Sequence, residues 1–188
     1  MAGKLAGLLT RPCKPPKSSH RFMKVLFFVL GLLGLGLDLY AAPVFTNGSS
    51  WTFVLGTSEP STPSSAWRDA GFNEGGWSSG LAPVGYGEPE VVTVVPSSSA
   101  GGYTTIYFRK PFWIQEASEV SQLELTLQVD DGVVVWLNGV EIGRTNAPAG
   151  EPAYNALATA APSQYFAHTI VLHAGSSPPL SSVLRSGN

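Results

Sequence analysis

Cysteine is all but missing from this chain: of 188 residues, Cys13 alone carries a thiol. A single cysteine excludes an internal disulfide framework, so a fold built from this sequence must hold together by its core. Charge is scarce as well, at 13% of residues, with 11 basic against 13 acidic and a net charge of −2. Six of the basic residues lie at or before Lys24, and the chain beyond lacks the clustered Lys and Arg that meet a phosphate backbone, so nucleic acid is not expected as a partner. Histidines number three, no His-Glu-x-x-His occurs, and no Ser or Cys stands in a nucleophile-elbow context. Long 3.6-residue apolar periodicity is absent, which argues against a helical body. The apolar run at residues 25–37 is about 13 residues long, short of the roughly 18 that argue for a membrane span.

What is present at the N-terminus reads as an export signal. Lys24 precedes the apolar run, and Asp38-Leu39-Tyr40-Ala41-Ala42-Pro43 follows it with small residues suited to a signal peptidase. Cleavage is expected after Ala41 or Ala42, placing the protein outside the cell, at the cell surface or in the periplasm, with no membrane span after cleavage. An uncleaved anchor is the competing reading, opposed by the shortness of the run. Met23 directly precedes Lys24, so translation starting there would itself give a compact signal; otherwise residues 1–22 form a long basic leader. Removing residues 1–41 takes six of the 11 basic residues and, of the acidic ones, Asp38 alone. Five basic residues against twelve acidic then remain, net −7, and Cys13 is gone. The remaining residues 42–188 suffice for one domain burying roughly two-thirds of its unfolded surface.

That domain reads as all-β. Glycine (21) and proline (15) are frequent and aromatics are spread through the chain, which suits many short strands and turns. Leu123, Leu125, Leu127 and Val129 alternate with polar residues, the period of a strand with one buried face. Asn138-Gly139 separates Val133-Val134-Val135-Trp136-Leu137 from Val140-Glu141-Ile142, and this dipeptide best tolerates the two positive φ angles of a type I′ hairpin. Further strands are expected at Trp51-Thr52-Phe53-Val54-Leu55, at Val91-Val92-Thr93-Val94-Val95 and from Tyr103 to Phe108. Arg109-Lys110-Pro111 is expected to interrupt the last of these, since proline lacks a ladder donor. The segment around Pro60 and Pro63 reads as a loop, residues 67–77 as an aromatic-rich loop packing its rings onto the sheet, and residues 96–102 as flexible. Residues 154–161 fit either a short helix or irregular coil.

In that order the elements resemble the galactose-binding-like β-sandwich, a jelly roll found as an accessory module in large exported bacterial proteins. The resemblance spans about residues 50–188. It is carried by Trp67, by residues 72–77, by Ala82-Pro83-Val84-Gly85-Tyr86-Gly87, by Tyr107-Phe108-Arg109-Lys110-Pro111-Phe112, by Asp130-Asp131-Gly132, by Asn138-Gly139 and by residues 144–150. It implies an antiparallel sandwich that serves a longer parent protein alongside other domains, such as a phosphoesterase or glycosidase. The family pattern would continue past Asn188 into an apolar closing strand, so the domain is expected to be cut short, lacking its last strand. Residues 133–137 or a neighbour would then want a partner. A smaller sandwich closing through residues 168–173 is the alternative.

The resemblance also implies a non-catalytic role, with carbohydrate as the ligand class, and sugar recognition pairs aromatic platforms with planar polar groups. Trp67, Trp77, Tyr86, Arg109, Arg144 and Asn146 are the candidates drawn from a pool that also holds Trp51, Trp113 and Trp136. Asp130 and Asp131 could offer oxygens to Ca²⁺, with Asn138, Glu141 and Asn146 near in sequence, although the spacing matches no standard calcium loop. The alternative is that both carboxylates bond to amides of their own turn. No other cofactor is implied. His168 and His173 are five apart and fall on opposite faces of a strand, and Asp130-Asp131 are adjacent, so neither pair converges on a reacting bond. A spacer or interaction module with all its rings buried is the competing reading, and an accessory fragment of a larger hydrolase the third.

Overall fold

A computed structural model describes residues 3–10, 42–162 and 164–187. The expected signal thus falls largely outside the described residues. The strands, in chain order, are β1 (Gly3–Thr10), β2 (Ser50–Leu55), β3 (Ser78–Leu81), β4 (Val84–Gly85), β5 (Thr93–Val94), β6 (Thr105–Phe112), β7 (Gln122–Val129), β8 (Gly132–Leu137), β9 (Val140–Thr145) and β10 (Phe166–His173). Two helical turns, α1 (Ser98–Gly101) and α2 (Leu180–Val183), complete the regular structure together with 3-10 turns at Ala66–Arg68 and Ala117–Glu119. No helix among the described residues is long and apolar enough to cross a membrane.

The architecture is all-β and almost wholly antiparallel. Six strands form one sheet in the order β3-β2-β6-β1-β8-β9, β10 pairs with β7, and β4 makes a two-residue parallel pair with β5. Alternation along β7 does what its pattern demands: Leu125 and Val129 are buried, and Leu123 and Leu127 pack partly buried beside them. From β10, Ile170 and Leu172 join them, and Val133, Val135, Leu137 and Ile142 of the larger sheet close the same core, with Leu180, Val183 and Leu184 at its end. A two-layer, sandwich-like body results, with the β7–β10 pair lying over one face of the six-stranded sheet.

The hairpin between β8 and β9 turns at Asn138 and Gly139, with φ of 51° and 86°. These are the two positive angles of a type I′ turn. The Asn138 amide also donates to the Val183 carbonyl at 2.7 Å, fastening the turn to α2. Residues 154–161 are turns and coil without helix.

Two local expectations need correction. The first strand-breaker fails: β6 runs unbroken through Arg109, Lys110 and Pro111 to Phe112. Proline is tolerated there because β2 pairs with β6 at residues 106–109 and ends before Pro111, where β1 alone runs alongside. Second, the β-branched run at residues 91–95 forms a strand only at Thr93 and Val94, where it meets the two residues of β4; Val92 and Val94 are exposed on one side and Val95 is buried on the other. Residues 96–102 hold the short turn α1. The Ser97 hydroxyl caps α1 by accepting from the Ala100 amide at 3.3 Å, and Gly102 ends it in the left-handed region.

The expected vacancy beside residues 133–137 is filled. β8 pairs with β9 on one edge and with β1 on the other, while β1 pairs on its far side with β6. Residues 168–173 lie within β10 and extend the second layer.

Replacing Leu125 by Asp puts a carboxylate at the centre of this core, where burial of an unpaired charge costs several kcal/mol. Loss of the cooperative far-ultraviolet circular-dichroism melt is expected; an unchanged melt would refute the placement of β7.

Candidate functional site

The six nominated residues divide between the two faces of the large sheet. On β8, Val134 and Trp136 point away from the β7–β10 layer and pack with Trp67, Tyr107, Phe72, Trp77 and Tyr154. Arg109 of β6 and Arg144 of β9 stand on that same face, Arg144 in register with Val134. Tyr86 is elsewhere: it packs on the opposite face against the cluster of Phe53, Val95, Tyr103, Ile106 and Phe108, and its hydroxyl lies 2.8 Å from the Ser98 hydroxyl.

Trp67 is delivered by the 3-10 turn at Ala66–Arg68, and its indole is the centre of an aromatic knot. It meets Tyr107 edge to face at 5.0 Å between centroids and Trp136 likewise at 5.5 Å, and it lies tilted by 32° against Trp77 at 6.3 Å. Only 1% of it is exposed. Trp77 is half-buried and rests its other contact on Phe72 at 5.7 Å. Residues 67–77 therefore do pack their rings on the sheet, and the Trp67 indole has no face open to a ligand.

Arg109 is fully buried. Its Nε donates to Glu74 Oε1 at 2.8 Å, its Nη2 donates to the Asp69 carbonyl at 2.8 Å, and the guanidinium lies 5.3 Å from the Phe72 ring centre. The Thr52 hydroxyl donates to the other Glu74 oxygen at 2.5 Å. This is a charge-assisted network joining two strands to the aromatic loop. Arg144 is engaged in the same way, donating to both Glu141 oxygens at 2.6 Å and to the carbonyls of Pro148 and Gly150. Asn146 holds a positive φ of 48° after β9, and its carbonyl accepts from the Thr159 amide at 2.8 Å.

Residues that sequence reasoning passed over complete the cluster. Arg68 is buried, pairs with Glu151 and stacks its guanidinium 4.3 Å from the Trp136 ring centre. Burial pushes the Tyr107 phenol well above its ordinary value of 10.0, and the Glu59 carboxylate adds to the rise. The one signal available was the Trp67-Arg68 dipeptide inside an aromatic loop.

Asp130 and Asp131 form the turn between β7 and β8, with Asp131 buried at a φ of 71°. No group of three or more His, Cys, Asp or Glu able to hold a metal ion occurs among the described residues. Of the side chains near this turn in sequence, Glu141 pairs with Arg144, and Asn138 donates through its side-chain nitrogen to the Val183 carbonyl. His168 and His173 lie five apart along β10, and His173 Nδ1 accepts from the Gly175 amide at 3.0 Å. Of the wider pool, Trp51 packs on Phe45 and Phe108, while Trp113 is half exposed.

Comparison with family models, with curated proteins and with solved structures finds no match.

Two outcomes follow from this geometry. Arg109→Ala leaves Glu74 without its cation and frees residues 69–74, and should cost about 3–5 kcal/mol in urea unfolding. A loss under 1 kcal/mol would show that the network is not a structural tie. For Tyr107, the free phenol ionises near 10.0 while the buried one stays protonated. Stability is thus intact below pH 10 and falls as pH rises above it, because only the unfolded chain then gives up the proton. The urea midpoint of Tyr107→Phe should decline less steeply than wild type above pH 10.

Proposed function

We propose that this chain is a non-catalytic accessory module of an exported protein, a galactose-binding-like jelly roll acting as a structural and interaction domain within a longer parent. One observation carries the interaction reading over sugar binding. The groups best suited to grip a sugar, Trp67 and Arg109, are 1% and 0% exposed, so neither the indole face nor any guanidinium donor, the unpartnered Arg109 Nη1 included, is open to a ligand. An aromatic platform needs an open ring face, and a planar polar group needs free donors.

The non-catalytic part of the reading rests on the disposition of the reactive side chains. Glu74, Glu141 and Glu151 each neutralise an arginine, so none stands free beside a facing carboxylate as glycoside hydrolysis requires. Burial lowers the pKa of the His168 imidazole, which favours its neutral form. Export rests on the signal pattern of residues 24–42 and on a fold that needs no thiol.

Isothermal titration and glycan-array screening of the purified chain test the choice. No saccharide should bind with a dissociation constant below about 1 mM. Saturable binding abolished by Trp77→Ala, with the melting curve retained, would replace this reading with that of a carbohydrate-binding module.

A further inference from the structure

Two readings of the N-terminal residues collide. Gly3–Thr10 lies inside the large sheet, between β6 and β8. Cleavage after Ala41 or Ala42 would carry that strand away, and translation from Met23 would never make it. Either event leaves β6 and β8 facing one another across a gap one strand wide, about 9–10 Å between strand axes. Both strands are buried along most of their length, β8 at every residue. Their inward N–H and C=O groups would then lack partners, a costly state for buried backbone.

No tight turn ties the occupant to either of its neighbours. β8 is joined to β9 by the two-residue turn, whereas β1 is joined to the rest only through residues 11–49. Its register is demanding. Ala6 falls between Arg109 and Trp136, Gly7 between Phe108 and Val135, and Leu8 between Tyr107 and Val134. Ala6 thus stands at the bulkiest pair, Arg109 and Trp136, and Gly7 follows it.

We propose that the slot between β6 and β8 is a strand-acceptor site for an extended apolar segment of a partner polypeptide. The segment is six to eight residues long, runs antiparallel to both walls and carries small side chains opposite Arg109/Trp136 and Phe108/Val135. Main-chain hydrogen bonds on both edges supply affinity, and the small-large pattern supplies selectivity. In the cell the slot opens by the export processing put forward above, and to that extent the proposal rests on that reading.

A full-length chain with a protease recognition sequence inserted after Pro16 tests the site directly. After folding and cutting, it is incubated with a fluorescent peptide of residues 3–10. Uptake is expected, with at least tenfold weaker binding when the peptide carries Leu8→Pro, because proline removes a ladder donor at mid-strand. A cut protein that keeps its circular-dichroism spectrum but takes up neither peptide, or both equally, overturns the proposal. Should cutting unfold the protein, recovery of the β signal with the unaltered peptide alone supports it, and failure to recover overturns it. Export is judged separately by N-terminal sequencing of the secreted product. A product that retains Gly3–Thr10 would end the export reading and leave the acceptor site to stand or fall on peptide uptake.

Discussion

Every residue of β8 is buried, and the rest of the structure is arranged around that fact. Val133, Val135 and Leu137 face the β7–β10 layer, while Val134 and Trp136 face the loops on the other side. A strand buried on both faces cannot turn its backbone groups to water, so it must be paired along both edges. β9 supplies one edge through a turn that only a dipeptide such as Asn138-Gly139 makes easily. The other edge is supplied from far away in the chain, by β1. Stability of the core and occupancy of that edge are therefore the same physical problem.

The second face of the sheet is closed by loops, and arginine does the closing. Residues 42–188 hold few basic side chains, and three of them serve this purpose. Arg68 reaches Glu151, Arg109 reaches Glu74 and the Asp69 carbonyl, and Arg144 reaches Glu141 and the carbonyls of Pro148 and Gly150. Guanidinium suits the task because its planar fork bonds several acceptors while its flat face lies on aromatic rings. Lysine could supply the charge without the stacking. Burying Arg109 completely is costly unless its charge is paired, which ties residues 69–74 to the sheet as firmly as any apolar contact there.

How much of this the sequence discloses depends on the range of the interactions. The β7 alternation and the Asn138-Gly139 hairpin are local patterns and can be read directly. The aromatic loop at residues 67–77 is legible too, because three aromatic side chains, Trp67, Phe72 and Trp77, amid glycine have few places to go but onto a sheet. Arg109 is harder: its partner Glu74 lies 35 residues away, and an isolated arginine in a strand reads equally well as a ligand contact. Val92 and Val94 mislead in the opposite direction: their run alternates as a strand does, with Val95 buried, yet it pairs only at Thr93 and Val94, against the two residues of β4. Gly3–Thr10 is the extreme case. Its residues show no strict alternation and lie in a segment that reads as leader, so nothing local signals a place between two strands that begin more than a hundred residues later.

Such an arrangement shifts the capacity for recognition from side chains to backbone. The aromatic and cationic groups on the loop-covered face are engaged with one another, which leaves that surface little to offer a small polar ligand. The outer edges of the large sheet are poor templates as well. β3 is four residues long, with the Thr93 hydroxyl donating to the Leu81 carbonyl at its end. β9 carries a register shift opposite Val135 and Trp136, and short or bulged edges resist strand addition. The interior slot differs on each count. It is the place of an eight-residue strand, walled by two strands buried over most of their length and lined on both sides by backbone groups that another strand satisfies. Whatever segment lies there controls whether the two halves of the sheet behave as one, so a module whose side-chain surface is closed can still discriminate among partners through the strand it accepts.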